Sequence, residues 1–186
     1  MSRVIYNTAT TLNGYLADEN DSLSWLFVVP RGDGESEFSD FMATVGALVM
    51  GSATYEWLLE HEKLLESPDK WFYPGIASFV MSSRQLPPVA GADIRFVRGH
   101  VDAMWSDLAQ AAGDKDIWLV GGGDLVGQFA DAGHLDEIRV SVAPVTLDSG
   151  KPLLPRRLEA DRLTLESMKQ VGQFAELVYS VRPPSD

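Results

Sequence analysis

The stretch Ile117-Trp118-Leu119-Val120-Gly121-Gly122-Gly123-Asp124-Leu125 decides how this chain is read. Four apolar residues run into three glycines, and an apparently helical segment, Asp124 to Ala132, follows. The pattern predicts a buried strand that ends in bare backbone and passes at once into a helix. Consecutive glycines are costly in conformational entropy, so a fold keeps them where backbone must bend sharply or lie against something. A helix start beside such a turn offers free N–H groups and a positive dipole end, which suits a phosphate. The spacing is not G-x-G-x-x-G, whose last glycine would stand at Val126, and it is not a Walker A loop. On spacing alone, a structural turn and a phosphate cradle stand as even alternatives.

Working outward, strands are predicted over Arg3 to Thr11, Ala47 to Met50, Ser78 to Ser82, Ile94 to Val97 and Glu137 to Val142. Helices are predicted over Glu35 to Val45, Ala53 to His61 and Val101 to Ala112. Leu163 to Val171 and Ala175 to Val181 read as a hairpin about Gly172-Gln173. Leu12 to Ala17 reads as a turn followed by an apolar patch, Trp25 to Val29 as a short apolar segment, and Pro144 to Pro155 as a long connection; Lys63 to Gly75 has no clear pattern. Strands alternate with helices and then follow one another directly. This predicts an α/β fold with a central, mainly parallel sheet flanked by helices and antiparallel strands at the C-terminal end. No repeat or linker divides residues 1–186, so one domain is expected.

Composition narrows the function. The net charge of −12 argues against nucleic acid and anionic membrane surfaces, which need clustered Lys and Arg. No apolar run reaches the roughly 18 residues of a membrane span, and the N-terminus lacks a signal-peptide pattern, so a cytoplasmic protein is expected. Without cysteine, disulfides and thiolate metal sites are excluded. His61, His100 and His134 lack metal-ligand spacing, and no metal is expected.

Ligands of such sheets bind beyond the carboxyl ends of the strands. Gly51-Ser52, Ser82-Ser83 and the glycine run sit at three such ends, which are expected to converge on one edge. Thr54 can cap the helix after Gly51 or donate to a pyrophosphate oxygen. Arg84 and Arg98 follow adjacent strands and read either as a bidentate phosphate site or as surface arginines. Glu35, Glu37 and Asp40 favour a helix start, and one of them can line a pocket and handle protons. Trp25, Phe38 and Phe41 fit core or pocket wall equally well, and Thr8 lies on the first strand.

In order and spacing, Thr11-Leu12-Asn13-Gly14-Tyr15-Leu16-Ala17, Val49 to Glu56, Val80 to Arg84 and Trp118 to Phe129 resemble the dihydrofolate reductase superfamily. The resemblance runs from about Arg3 to Val181 and is greatest to the reductase domain of the bifunctional riboflavin-biosynthesis deaminase/reductase and its stand-alone relatives. It implies a three-layer fold and an NADPH-dependent reductase acting on a small heterocycle, pterin-like or 5-amino-6-(5-phosphoribosylamino)uracil-like. The alternative is a non-catalytic nucleotide-binding module that retains the fold. By resemblance, Leu16 and Ala17 lie beside the nicotinamide, and Gly51, Ser52 and Thr54 lie at the pyrophosphate. Ser82, Ser83, Arg84 and Arg98 lie at the 2′-phosphate. Val120 through Leu125 form the cradle, with a cis peptide at Gly121-Gly122. Thr8, Trp25, Phe38 and Phe41 then face the substrate, and Glu35, Glu37 and Asp40 compete for the proton. The branch commonly dimerises, which implies a homodimer. Two departures stand out: Ser52-Ala53 replaces an Arg-Lys pair usual in the family, and Tyr15 replaces a lysine of the pyrimidine reductases.

Overall fold

The computed structural model describes residues 2–32 and 34–184, with backbone alone for 34–36. Its frame is an eight-stranded sheet. In chain order the strands are β1 (Val4–Thr11), β3 (Val45–Gly51), β4 (Ala77–Met81), β5 (Ile94–Val97), β6 (Asp116–Gly121), β7 (Glu137–Ala143), β9 (Leu163–Val171) and β10 (Phe174–Val181). Two short strands, β2 (Tyr15–Ala17) and β8 (Lys151–Pro152), pair separately. The order across the sheet is β5-β4-β3-β6-β1-β7-β10-β9. The strands from β5 to β7 are parallel, and β10 and β9 are added antiparallel, as the sequence pattern predicts.

Alternation along each strand builds two cores. Val4 and Tyr6 of β1 point to one face with Val49, Phe79 and Leu119. There α4 (Val101–Ala112) contributes Met104 and Leu108, and α5 (Gly123–Asp131) contributes Val126 and Phe129. Ile5 points to the other face with Leu48, Met50, Val80 and Trp118. That face is covered by α2 (Gly34–Thr44), through Phe41, and by α3 (Ser52–His61), through Tyr55 and Leu58. Helices on both faces make the three layers, as an apolar parallel sheet requires.

Three segments differ from the sequence reading. Trp25 to Val29 contains a one-turn helix, α1 (Ser24–Phe27), and not merely an apolar stretch. The apolar patch after Gly14 is β2, and the long connection carries its partner β8. The segment without a clear pattern forms a turn and a 3-10 helix, Pro68–Lys70.

Candidate functional site

The carboxyl ends of β4, β3 and β6 lie side by side in the sheet, so the three junctions do converge on one edge. Beside them opens a cavity of about 1100 Å³. It continues from this edge over the sheet face that α2 roofs, past β1 and β7 to β10 and β9.

At the near end, Gly51 closes β3 and Gly121 closes β6. Each strand passes directly into a helix whose N-cap is a glycine, Gly51 for α3 and Gly122 for α5, with no side-chain cap. Both starts line the cavity, through Gly51, Ala53 and Thr54 and through Gly121 to Asp124. Two uncapped helix N-termini on neighbouring strands concentrate backbone donors and positive dipole ends. A Cβ built on Gly121 or Gly122 would meet nothing within 4 Å, so the bare backbone has room for a ligand to lie against it. The Gly121-Gly122 peptide is cis. Gly123 has the opposite surroundings: a Cβ there would stand 2.5 Å from the carbonyls of Pro152 and Leu153. Leu125 turns its side chain into the core and brings only backbone to this end.

The cavity wall is aromatic. Trp118 donates from Nε1 to the Asn7 carbonyl at 3.0 Å and is met edge-on by Phe38, Phe41 and Tyr73, with centroids 5.4 to 5.7 Å away. Leu16, Ala17 and Thr8 also line the space. Burial holds the Tyr73 phenol well above its ordinary value. At the mouth, Phe27 of α1 stacks on Trp57 and His61 of α3, which brings the 18–32 segment against α3.

The far end is charged. Lys169 of β9 pairs with Glu37 of α2 and lies 3.5 Å from Glu176 of β10, tying roof to floor. The hydrogen bond to Glu37, and then the field of Glu176, raises the lysine pKa despite some opposing desolvation. Arg139 of β7 pairs with Glu137 and lies 5.4 Å over the Phe41 ring. Asp40 lines the cavity, and among the described residues it enters no ion pair. The Glu35 side chain lies outside the described residues.

Other candidates stand apart from this space. Trp25 is 7% exposed and packs with Val29, Ala143 and Phe174; it supports the cavity from behind and does not line it. Ser82 is spent on a turn: its hydroxyl accepts the Arg84 N–H at 3.0 Å and donates to the Arg84 carbonyl at 3.1 Å. Ser52 and Ser83 line neither cavity. Arg84 and Arg98 do come together, around a second cavity of about 530 Å³ with Phe96. Arg84 is already held there by Glu56, through two bonds of 2.8 and 2.5 Å that raise its pKa. Trp118, Arg139, Lys169 and Glu176 were not singled out by the sequence reading. For Arg139 the signal is present in β7, where Arg139 and Ser141 alternate with buried Ile138 and Val140. A polar face of that kind reads as solvated until a helix is known to roof it.

Among the described residues no group of three or more His, Asp or Glu is arranged for a metal, and no helix is long and apolar enough to cross a membrane. A family model described as RibD C-terminal domain matches residues 2–175. The chain is 31% identical over 179 residues to the uncharacterized protein YwjB of Bacillus subtilis (strain 168), covering 95% of this chain and 97% of YwjB. A crystal structure of a Shewanella sp. PV-4 protein provisionally assigned to riboflavin biosynthesis superposes with a TM-score of 0.79 at 25% identity, over 98% of this chain and 99% of that one. The Thermotoga maritima diaminohydroxyphosphoribosylaminopyrimidine deaminase/5-amino-6-(5-phosphoribosylamino)uracil reductase has the same fold, with a TM-score of 0.66 at 14% identity. This chain is covered over 98% of its length there and matches 57% of that protein.

Proposed function

The chain belongs to the RibD C-terminal domain family, and on that premise we propose that it is an NADPH-dependent reductase of a small, pterin-like or aminouracil-like heterocycle. The observation that carries the proposal is the pair of uncapped helix starts on adjacent strand ends, opening on a cavity with an aromatic wall. The donors fit a diphosphate, and the bare glycine backbone leaves space for it. When bound, the cofactor supplies the hydride. The protein's part is to bind, orient and keep water away. Gly121 to Gly123 and Thr54 hold the diphosphate, while Leu16 and Ala17 flank the nicotinamide. Phe38, Phe41 and Trp118 present an apolar surface for a planar ring. Asp40 is the acid facing the ring, because Glu37 is committed to Lys169. In this reading the enzyme works in the cytoplasm as a homodimer. The exposed Leu165 and Met168 on edge strand β9 offer a surface for the second copy.

Trp57 and Trp118 line the cavity, so titration with NADPH and NADH followed by tryptophan fluorescence tests the reading directly. Binding of neither nucleotide at millimolar concentration would sink it. A second reading, a non-catalytic nucleotide-binding module, draws support from Glu56, which occupies the arginine expected at the 2′-phosphate. That reading predicts binding without turnover on dihydrofolate or on the phosphoribosylaminouracil, so hydride transfer to either removes it.

A further inference from the structure

We propose that Arg156 is a positioning residue for the cofactor diphosphate, acting by neutralising Asp124 at the start of α5. The inference rests on the cofactor reading above. Asp124 lies in the first turn of α5, lines the cavity, and brings a negative charge to the same backbone that would receive a diphosphate. A carboxylate there favours the helix dipole in the free protein, but it repels a bound anion. Arg156 answers this charge. One terminal nitrogen lies 3.0 Å from Asp124 Oδ1, and its Nε donates to Asp131 Oδ2 at 2.8 Å. The guanidinium therefore bridges from the first turn of α5 to its last residue. The other terminal nitrogen donates to the Pro155 carbonyl at 2.9 Å, which ties the arginine to a segment that itself lines the cavity.

The helix is shaped to receive this side chain. A Cβ on Gly127 would stand 2.6 Å from Arg156 Cγ, 2.8 Å from Nε and 2.9 Å from Cζ. Glycine in mid-helix is unfavourable relative to alanine. Here it is what lets the arginine lie flat across α5. The bonds to Asp131 and Asp124 raise the guanidinium pKa further, so the charge is permanent at any working pH. Arg156 does not itself line the cavity, so its effect on a ligand passes through Asp124 and the field at the helix start.

The test is calorimetric titration of the full chain with NADPH, and with 2′-AMP, which has no diphosphate. Arg156→Gln should weaken NADPH binding by about tenfold, as expected for one uncompensated charge near an anion, and should leave 2′-AMP unchanged. Adding Asp124→Asn to Arg156→Gln should restore NADPH affinity, because the charge to be neutralised is then gone. Gly127→Ala, which displaces the arginine by crowding, should weaken binding in the same direction and checks the case in which Arg156→Gln folds poorly. Equal loss for both ligands, or no rescue by Asp124→Asn, would mean that Arg156 only braces the 152–156 segment, and overturns the proposal. If the unaltered chain binds NADPH and Arg156→Gln binds it equally well, the proposal fails and the cofactor reading stands. If the unaltered chain does not bind NADPH, both fall.

Discussion

At the scale of single residues, the glycine run divides its work. Gly121 and Gly122 face open space, whereas Gly123 is pressed beneath the carbonyls of Pro152 and Leu153. Gly123→Ala should therefore cost stability, by about 1–3 kcal/mol for overpacking against backbone, and thermal denaturation would measure it. An unchanged melting temperature would show that the 152–153 backbone yields. Asp40→Asn should lower kcat by about 10²-fold or more if Asp40 handles the proton. The loss should fall on kcat with substrate KM little changed, and an unaltered kcat would return the role to Glu35 or to water. The places of the glycine backbone and Thr54 along one cavity were legible because strand, glycine and helix follow one another without interruption. Trp25 and Ser82 were not, since sequence shows a residue's chemistry and not whether a neighbour has already used it. The Ser82 hydroxyl closes its own turn, and the Trp25 ring fills the layer behind the cavity.

At the scale of elements, the roof helix α2 is pinned to the far strands by Lys169. Lys169→Met should free that end and raise KM for the heterocycle more than it alters kcat. It should change stability by less than about 1 kcal/mol, because the pair is half exposed. A KM equal to that of the unaltered chain would show that α2 is placed by Phe41 and Trp118 alone. The stacked Phe27, Trp57 and His61 make a second connection, from α1 to α3. Phe27→Ser should speed hydrogen exchange in residues 18–32 while leaving α3 protected, and equal protection in both proteins would count against the stack as a fastening. Elements of two turns or more were legible to within a few residues, since eight or more positions repeat their period. The four-residue α1 and the two strands of the small sheet were not. They are too short to show a period, and they exist because the 15–17 and 151–152 segments meet in space.

At the scale of the whole molecule, β1 is the keystone of the sheet, held between β6 and β7. Arg3, just before it, pairs with Asp116 at 2.9 Å and Glu137 at 3.0 Å, one at the start of each neighbour. Burial alone would raise the Asp116 pKa, but the hydrogen bonds from the Arg3 side chain and N–H outweigh it, so the folded value lies below the ordinary 3.8. The unfolded chain then takes up this proton at a higher pH than the folded one. The stabilisation is complete above the unfolded value and is lost as pH falls through the folded value. Denaturant midpoints of the unaltered chain and Asp116→Asn should differ at neutral pH and converge in acid; a gap that persists at pH 2 would reject this account. The layer order was legible in the alternation of strands and helices, but the position of β1 was not, because no local pattern says which distant strands will flank it. That position has a consequence for the chain as it is made. Val4, Ile5 and Tyr6, all fully buried in the finished fold, leave the ribosome about a hundred residues before either flanking strand. At about 5–20 residues per second, this apolar strand waits unpaired for about 5–20 seconds, and a nascent chain stopped short of β6 holds neither of the strands that flank it.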